Sequence, residues 1–274
     1  VTVKPKAATP KVSKHVLEDS TAAWQKAADA TVADDLYWRL SATVPAGLTA
    51  YDTYAVRFVD TMSAGFDPSK VAASMRVYAA AGADGGFDAV ACEGGNASST
   101  PAKGWTDITS QCKVSVDGKT FTVRTGDLIA ALGGVDAFTA GARVVAVYNA
   151  PLNSACNHGI AKGNPNEVYL RYPRSPLADQ SGDAGFTRTP SDDACAYTLG
   201  LSLIKRSSAD DKPLAGAKLR IIDDRGHILT TDGSWSTDAA ACVTTGADGH
   251  VELSGVDAGV YTVEEVAAPK GYTA

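Results

Sequence analysis

Three residues whose side chains could react with one another project from apolar strand faces. Side chains alternate between the two faces of a β-strand. This alternation places Lys14, Asp60 and Asn166 each on the same face as neighbouring valine, leucine, phenylalanine or methionine residues. An amine, a carboxyl group and a carboxamide would therefore all point into the core.

Such a set has one chemical option in a dry interior. Burying an unpaired charge costs several kcal/mol, so the lysine tends to lose its proton and the carboxylate to gain one. A neutral amine can attack the amide carbon while the acid polarises the carbonyl and relays protons. Ammonia leaves, and a Lys–Asn isopeptide bond remains after a single turnover. The plainer alternative is that each inward charge lies half-exposed at a strand end or on an edge strand.

The last quarter of the chain repeats part of this pattern. Lys205 shares a face with Leu201 and Leu203, and Glu265 shares one with Tyr261, whereas Glu264 points outward. A second lysine–carboxyl pair is therefore expected.

The elements that position these residues are short strands. Two-residue periodicity dominates, and glycine, proline and aspartate turns separate the runs, which indicates an all-β chain of sandwich type. Helical periodicity is confined to Thr21–Ala30, Pro68–Ser74 and Gly126–Leu132. The polar stretch Tyr172–Ala194 is interpreted as a long loop or part of a linker, with a domain boundary near Tyr197.

Composition excludes several function classes. The 274 residues carry a net charge of −6, without the basic patch of a nucleic-acid-binding protein. No run reaches the roughly 18 apolar residues of a transmembrane segment. The chain lacks a phosphate-binding glycine motif, metal-ligand spacing among its four histidines and a hydrolase nucleophile–base set. We therefore predict no cofactor, no metal and no enzymatic activity beyond the single-turnover reaction.

The cysteines favour disulfide bonds in an exported protein over a metal site, because no C-x-x-C pair is present. Pairing Cys92 with Cys112 and Cys156 with Cys195 would close two local loops. Sequence alone leaves the connectivity open, and the odd count leaves Cys242 or another cysteine unpaired.

Several segments resemble the domains of sortase-assembled pilin subunits of Gram-positive bacteria. Tyr261–Tyr272 is similar to the E-box of CnaB-type domains, and Pro213–Leu219 and Thr245–Val251 match that domain in the same order. Upstream, Phe58–Gly65 and Asn164–Tyr172 resemble the aspartate and asparagine segments of the isopeptide-forming pilin domain. The resemblance covers nearly the whole chain.

The resemblance implies two consecutive Ig-like β-sandwich domains. Residues 9–196 would form the isopeptide-forming (CnaA-like) domain, and residues 197–274 a CnaB-type domain that is expected to be incomplete at its C-terminus. Residues 1–8 would form an arm.

It also implies a role for each candidate residue. Lys14 and Asn166 would be the bonded pair and Asp60 the catalytic acid; Asn164 is an alternative acceptor, but we expect it in a solvated turn. Lys205 and Glu265 would be nucleophile and acid of a second set, whose acceptor asparagine lies in a later strand and cannot be assigned here.

The opening residues, Val1–Lys6, are similar to the pilin motif, although Lys4 stands where tyrosine is usual. Lys6 would be the lysine that a sortase joins to the C-terminal threonine of the next subunit. The resemblance thus implies a shaft subunit of an extracellular, cell-wall-anchored pilus, whose partners are neighbouring subunits and the sortase. The alternative is a tip or surface adhesin that binds a host or partner ligand on the same scaffold.

Overall fold

A computed structural model describes residues 9–32, 34–89, 92–93, 96–97, 100–231 and 234–273. Within these residues the chain forms two compact units. The first contains residues 9–28, 34–156 and 164–196, and the second contains residues 29–32, 157–163 and 197–273. The predicted all-β fold class is confirmed.

The strands between residues 11 and 197 differ in burial: Thr120–Arg124 and most of Asn164–Pro173 alternate buried with more exposed residues, as expected for a sheet with one inner face, whereas Ala142–Asn149 is buried on both faces. They are β1 (Lys11–Glu18), β2 (Ala23–Gln25), β3 (Ala27–Asp29), β4 (Tyr37–Val44), β5 (Arg57–Met62), β6 (Arg76–Ala81), β7 (Cys92–Glu93), β8 (Asn96–Ala97), β9 (Thr106–Asp107), β10 (Lys113–Asp117), β11 (Thr120–Arg124), β12 (Ala142–Asn149), β13 (Asn164–Pro173), β14 (Phe186–Arg188) and β15 (Asp192–Tyr197).

The first unit contains a small two-stranded sheet of β7 and β8 and is built mainly of two large sheets. One has the order β2-β1-β4-β12-β6-β9, and the other has the order β10-β11-β5-β13-β15-β3, with β14 beside β13. The sheets pack face to face: Phe121 of β11 meets Tyr148 of β12 at a ring-centroid distance of 4.7 Å. Strand β12 lies centrally in its sheet, and nearly every residue along it is buried.

The second unit contains seven further strands, which are β16 (Leu199–Ile204), β17 (Lys218–Ile222), β18 (Ile228–Leu229), β19 (Trp235–Ser236), β20 (Val243–Thr244), β21 (His250–Val256) and β22 (Thr262–Ala267). Strands β16 and β21 pair, and β17 lies at the centre of the order β19-β18-β17-β20, with β22 also beside it. Leu219, Ile221 and Val251 belong to its apolar core.

The helices are short, namely α1 (Val71–Ser74), α2 (Leu128–Ala131) and α3 (Val135–Phe138), with a 3₁₀ turn at Thr109–Gln111. The first two fall inside predicted helical segments. The prediction of a helix over Thr21–Ala30 is wrong, because this segment forms β2 and β3, which pair with β1 and β15. None of the helices in the described ranges is long and apolar enough to cross a bilayer.

The polar stretch interpreted as a loop or linker is built into the first unit. It ends β13, forms β14 and begins β15. Its central turn is held by side chains of the sheet, since Gln180 and Asp183 contact Arg57. The stretch is therefore an ordered extension of the first unit.

Candidate functional site

The inner face of the first unit brings the three predicted residues together. Lys14 enters from β1 in one sheet, while Asp60 and Asn166 enter from the adjacent strands β5 and β13 in the other. Asp60 lies opposite Val168, so Asn166, two residues earlier on β13, is its diagonal neighbour. Diagonal pairs of an antiparallel ladder share a face. The alternation of side chains along the strands therefore directs all three side chains to the same point in the core.

A fourth residue, Tyr148 of β12, connects them. The Lys14 ammonium donates to Asp60 Oδ2 and to the Tyr148 hydroxyl, the latter at 2.8 Å. Asn166 Nδ2 also donates to the Tyr148 hydroxyl, at 2.9 Å. The hydroxyl in turn donates to Asp60 Oδ2 at 3.3 Å. The four side chains form one hydrogen-bonded cluster, which we call the buried tetrad.

The tetrad is sealed from solvent. Lys14, Asp60, Asn166 and Tyr148 each expose 0% of their surface. The Lys14 Nζ lies 5.2 Å from the Trp38 ring centre, and Phe121 packs on Tyr148. The plainer alternative, a half-exposed charge at a strand end, does not describe these residues.

Burial disfavours the charged form of both members of the ion pair. Desolvation lowers the pKa of Lys14 to about 8, although the Asp60 charge opposes this shift. Desolvation likewise raises the pKa of Asp60, against the effect of Lys14. Both shifts favour the neutral amine and the protonated acid, the forms that an acyl transfer to nitrogen requires.

Two oxygens of the tetrad, Asp60 Oδ1 and Asn166 Oδ1, are buried without a hydrogen-bond partner. An unsatisfied buried acceptor costs roughly 1–3 kcal/mol. A proton on the Asp60 carboxyl would supply a donor beside these acceptors. The arrangement therefore suits a carboxylic acid that polarises the Asn166 carbonyl.

Sequence reasoning missed Tyr148. It is the penultimate residue of a largely apolar strand, and both faces of β12 are buried, so two-residue parity does not single it out. The available signal was a hydroxyl in an otherwise apolar run, which must find a polar partner when buried.

The structure corrects the expectation for Asn164. This residue is 1% exposed on β13 and its Nδ2 donates to the carbonyl of Ala196 at 3.3 Å, so it does not lie in a solvated turn. The ladder continues through Pro165, which pairs with Cys195. The tetrad hydrogen bonds go to Asn166, which favours Asn166 as the acceptor.

The second predicted pair also meets, in a more open setting. Lys205 Nζ lies 2.9 Å from Glu265 Oε2, with side chains 30% and 20% exposed. Lys205 follows β16, and Glu265 lies on β22 opposite Leu219. Glu265 Oε1 is buried without a hydrogen-bond partner. The pair is a partly screened ion pair, unlike the enclosed tetrad.

The structure does not show the predicted disulfides. Among the residues that it describes, Cys112, Cys156, Cys195 and Cys242 are thiols. The predicted link between Cys156 and Cys195 is wrong in this structure. Cys156 lies beside Gly65, next to the inward Asn164 side chain. Cys195 alternates with the buried Ala194 and Ala196, so it points to the opposite face, and a disulfide requires side chains that point toward each other.

Two other predictions concern residues or side chains that the structure does not describe. Lys6 lies in residues 1–8, and the side chain of Cys92 is likewise outside the described residues. No group of three or more histidine, cysteine, aspartate or glutamate residues that could hold a metal occurs among the described residues.

Comparison with known proteins points to surface pilins. Residues 200–274 match the family model described as the SpaA prealbumin-like fold domain. A curated relative, the trypsin-resistant surface T6 protein of Streptococcus pyogenes serotype M6, is 28% identical over 134 residues, which is 46% of this chain and 23% of that protein.

Solved structures agree on the fold. The T6 backbone pilin of S. pyogenes superposes with a TM-score of 0.58 at 20% identity, over 97% of this chain and 50% of that chain. A 35 kDa C-terminal fragment of the major pilin GBS80 of Streptococcus agalactiae gives 0.62 at 15% identity, over 97% and 88%. The matched region thus spans about a quarter of the curated relative and half of the T6 structure. The resemblance to Gram-positive pilins is confirmed.

Proposed function

We propose that this chain is part of a shaft (backbone) subunit of a covalently polymerised Gram-positive surface pilus, and that its first unit is stabilised by an autocatalytic bond between Lys14 and Asn166. The buried tetrad is the observation that carries the proposal. A fully buried lysine, acid and asparagine at hydrogen-bond distances contribute little stability as an ion pair, since apolar residues of similar volume often stabilise a core as well or better. The proposed reaction accounts for the presence of these polar side chains in the core.

The reaction follows from the contacts. Lys14 gives a proton to Asp60, with which it already shares a hydrogen bond, and the neutral Nζ attacks Cγ of Asn166. The protonated Asp60 stabilises the oxygen of the tetrahedral intermediate. The Cγ–Nδ2 bond then breaks, the leaving nitrogen takes up one proton, and ammonia departs. The product is a secondary amide, and no external oxidant, reductant or cofactor enters the balance.

The similarity to backbone pilins supports the shaft assignment over the adhesin alternative. Both solved relatives described above are named as backbone or major pilins. By the same similarity, we assign the second unit and the segment that contains Lys6 to the joining of neighbouring subunits outside the cell. The Lys205–Glu265 pair would act in that unit as nucleophile and acid if an acceptor asparagine reaches it.

The direct test is the mass of the intact chain under reducing, denaturing conditions. We expect the wild-type mass to be low by one molecule of ammonia, and a digest to yield one branched peptide that joins Lys14 to Asn166. Lys14→Ala and Asn166→Ala should show the full calculated mass. Asp60→Ala should cross-link slowly or not at all.

Asn164→Ala is the matched control, because Asn164 is the same residue type on the same buried face of β13. It should lose ammonia as the wild type does. If the wild-type chain showed its full calculated mass, with no loss of ammonia, the proposed bond would be refuted. A branched peptide that joins Lys14 to Asn164 would refute the assignment of Asn166 as the acceptor.

A further inference from the structure

The position of Tyr148 within the tetrad calls for a role beyond packing. Its hydroxyl accepts from Lys14 Nζ and from Asn166 Nδ2 and donates to Asp60 Oδ2. A phenol has one donor and two acceptor sites. All three are used, and each partner is one of the three reacting groups.

We propose that Tyr148 is a catalytic residue of the cross-linking reaction, whose hydroxyl passes a proton from Asp60 to the departing nitrogen of Asn166. This inference rests on the proposed isopeptide reaction and assigns the step that the lysine, aspartate and asparagine leave open.

The open step is the protonation of the leaving group. Amide nitrogen must gain a proton before it can depart as ammonia. Asp60 receives a proton from Lys14, but the hydrogen bond of Asn166 Nδ2 goes to the Tyr148 hydroxyl at 2.9 Å. The hydroxyl contacts Asp60 on its other side at 3.3 Å. It therefore bridges the acid and the nitrogen that needs the proton.

The direction of the hydrogen bond changes during the reaction. In the planar amide the Nδ2 lone pair is delocalised, and Nδ2 acts as a donor to Tyr148. Attack by Lys14 makes Cγ tetrahedral and localises the lone pair, so Nδ2 becomes an acceptor. Once Asp60 is protonated, the Tyr148 hydroxyl accepts from Asp60 and turns its own proton toward Nδ2. The Tyr148 proton then moves to Nδ2, the Asp60 proton moves to the Tyr148 oxygen, and the Cγ–Nδ2 electron pair leaves with ammonia. Asp60 recovers its proton from the cationic Nζ.

The tyrosine remains a neutral phenol before and after this exchange. Burial, with the Asp60 charge as a second cause, holds the pKa of Tyr148 well above its usual range. A free phenolate is therefore excluded near neutral pH. The hydroxyl can release its own proton only while it receives another, which is what a relay requires.

Removal of this single oxygen tests the proposal. The full chain is recovered unfolded and unreacted, refolded by dilution, and sampled over time for loss of ammonia by intact mass. General acid catalysis contributes about 100- to 10,000-fold, so Tyr148→Phe should slow cross-linking by about 100-fold or more. Tyr54→Phe is the matched control, since Tyr54 is a second tyrosine buried in the same unit, 1% exposed. It should react at the wild-type rate.

Folding and chemistry are separated in an Asn166→Ala background, where no bond can form. There Tyr148→Phe should shift the thermal midpoint by only a few degrees. As a second variant, 3-fluorotyrosine at position 148 keeps the ring and the hydroxyl but makes the hydroxyl more acidic. A relay predicts a changed rate for this variant, whereas a hydroxyl that only holds the amide in place predicts the wild-type rate.

The outcomes distinguish this inference from the proposed function. Ammonia loss in the wild type together with an equally fast Tyr148→Phe protein would overturn the relay and leave the isopeptide bond intact. A wild type that never loses ammonia would overturn both. Slow reaction confined to Tyr148→Phe, with the fluorotyrosine rate altered, would establish the relay.

Discussion

Lys14 and Asp60 share one proton, because burial disfavours the charged form of each group when the other is neutral. The state that reacts has a neutral amine and a protonated carboxyl group, which is the proton-shifted form of the ion pair. Its population depends on the protons bound to the pair as a whole, not on either residue separately. The pH dependence of the reaction therefore reports the pair.

We predict that the rate of cross-linking falls as the pH rises above about 8. The pKa of Lys14 is lowered to about 8 by burial. Above that pH the pair loses its last proton, so the amine stays neutral but the acid is gone. Below the raised pKa of Asp60 the pair takes up a second proton, which leaves an ammonium that cannot attack. The expected profile is a plateau that declines on both sides.

Refolding the unreacted chain over a series of pH values, with loss of ammonia followed by mass, measures this profile. A solvent-exposed lysine would instead give a rate that climbs until about pH 10. Such a climb would show that Asp60 does not act as the acid. Asp60→Asn, which carries no titrating proton, should remove the plateau.

At this scale the sequence predicted part of the site. Two-residue parity placed Lys14, Asp60 and Asn166 on inner faces, because each lies on a strand whose neighbours reveal which face is apolar. Parity failed for Tyr148 because β12 is buried on both faces. It also could not show that Asn164 is buried, since Pro165 beside it suggested a turn while the ladder in fact runs through it.

At the scale of elements, the second sheet carries a row of positive charges. Five basic residues lie directly opposite one another across neighbouring strands β10, β11, β5, β13 and β14. The row consists of Lys113, Arg124, Arg57, Arg171 and Arg188. Like charges placed opposite each other destabilise a sheet, so the row needs counter-charges.

The turn over residues 175–185 provides one counter-charge and one backbone carbonyl acceptor. The Asp183 carboxylate contacts Arg57 through Oδ1 and Arg171 through Oδ2, the second at 2.9 Å. The carbonyl of Gln180 accepts from Arg57 at 3.2 Å and from Arg124 at 2.8 Å. These contacts explain why a polar, proline-bearing stretch that looks like a linker is bound to the first unit.

We predict that Asp183→Asn loosens this turn. Arg57 is 8% exposed and would lose its carboxylate partner, while the repulsion along the row would remain. The thermal midpoint should fall by a few degrees, and trypsin should cut faster after Arg174. Asp136→Asn, at an exposed aspartate of α3, is the control and should leave both unchanged. Unaltered cleavage after Arg174 in Asp183→Asn would contradict the role of this contact.

The helix predictions show the limit of local patterns. Segment Thr21–Ala30 has alanine-rich, helix-like spacing, yet it forms β2 and β3 because hydrogen bonds to β1 and β15 outweigh local propensity. The all-β class was accessible because several strands, such as β11, β16 and β17, alternate along their length. The pairing order was not, since it depends on contacts between residues far apart in the chain.

At the scale of the molecule, the proposed bond changes which residues bear force. Lys14 lies in the first strand of the first unit and Asn166 in β13, one of its last strands. A covalent link between them would carry tension past the residues that lie between the two positions. Within the first unit, only the residues before Lys14 and after Asn166 could extend. This shielding suits a subunit in a chain that is pulled from both ends.

Such a chain needs a covalent link between subunits, and we predict that Lys6 provides it. Lys6 ends the segment Val1–Lys6, which is similar to the pilin motif, and a segment that precedes a folded unit would suit an amine that an enzyme must reach. With the pilin-polymerising sortase of the source organism and a peptide that ends in a threonine sorting motif, the wild-type chain should form an amide at Lys6.

Lys6→Ala should abolish this product. Lys4→Ala is the matched control, since it removes the neighbouring lysine of the same sequence segment, and it should react as the wild type does. Neither change should alter the loss of ammonia from the Lys14–Asn166 pair, because intramolecular and intersubunit bonds use different amines. Undiminished product with Lys6→Ala would refute the shaft assignment that rests on Lys6. A subunit at the tip, which needs no acceptor lysine, would then account better for the fold and the tetrad.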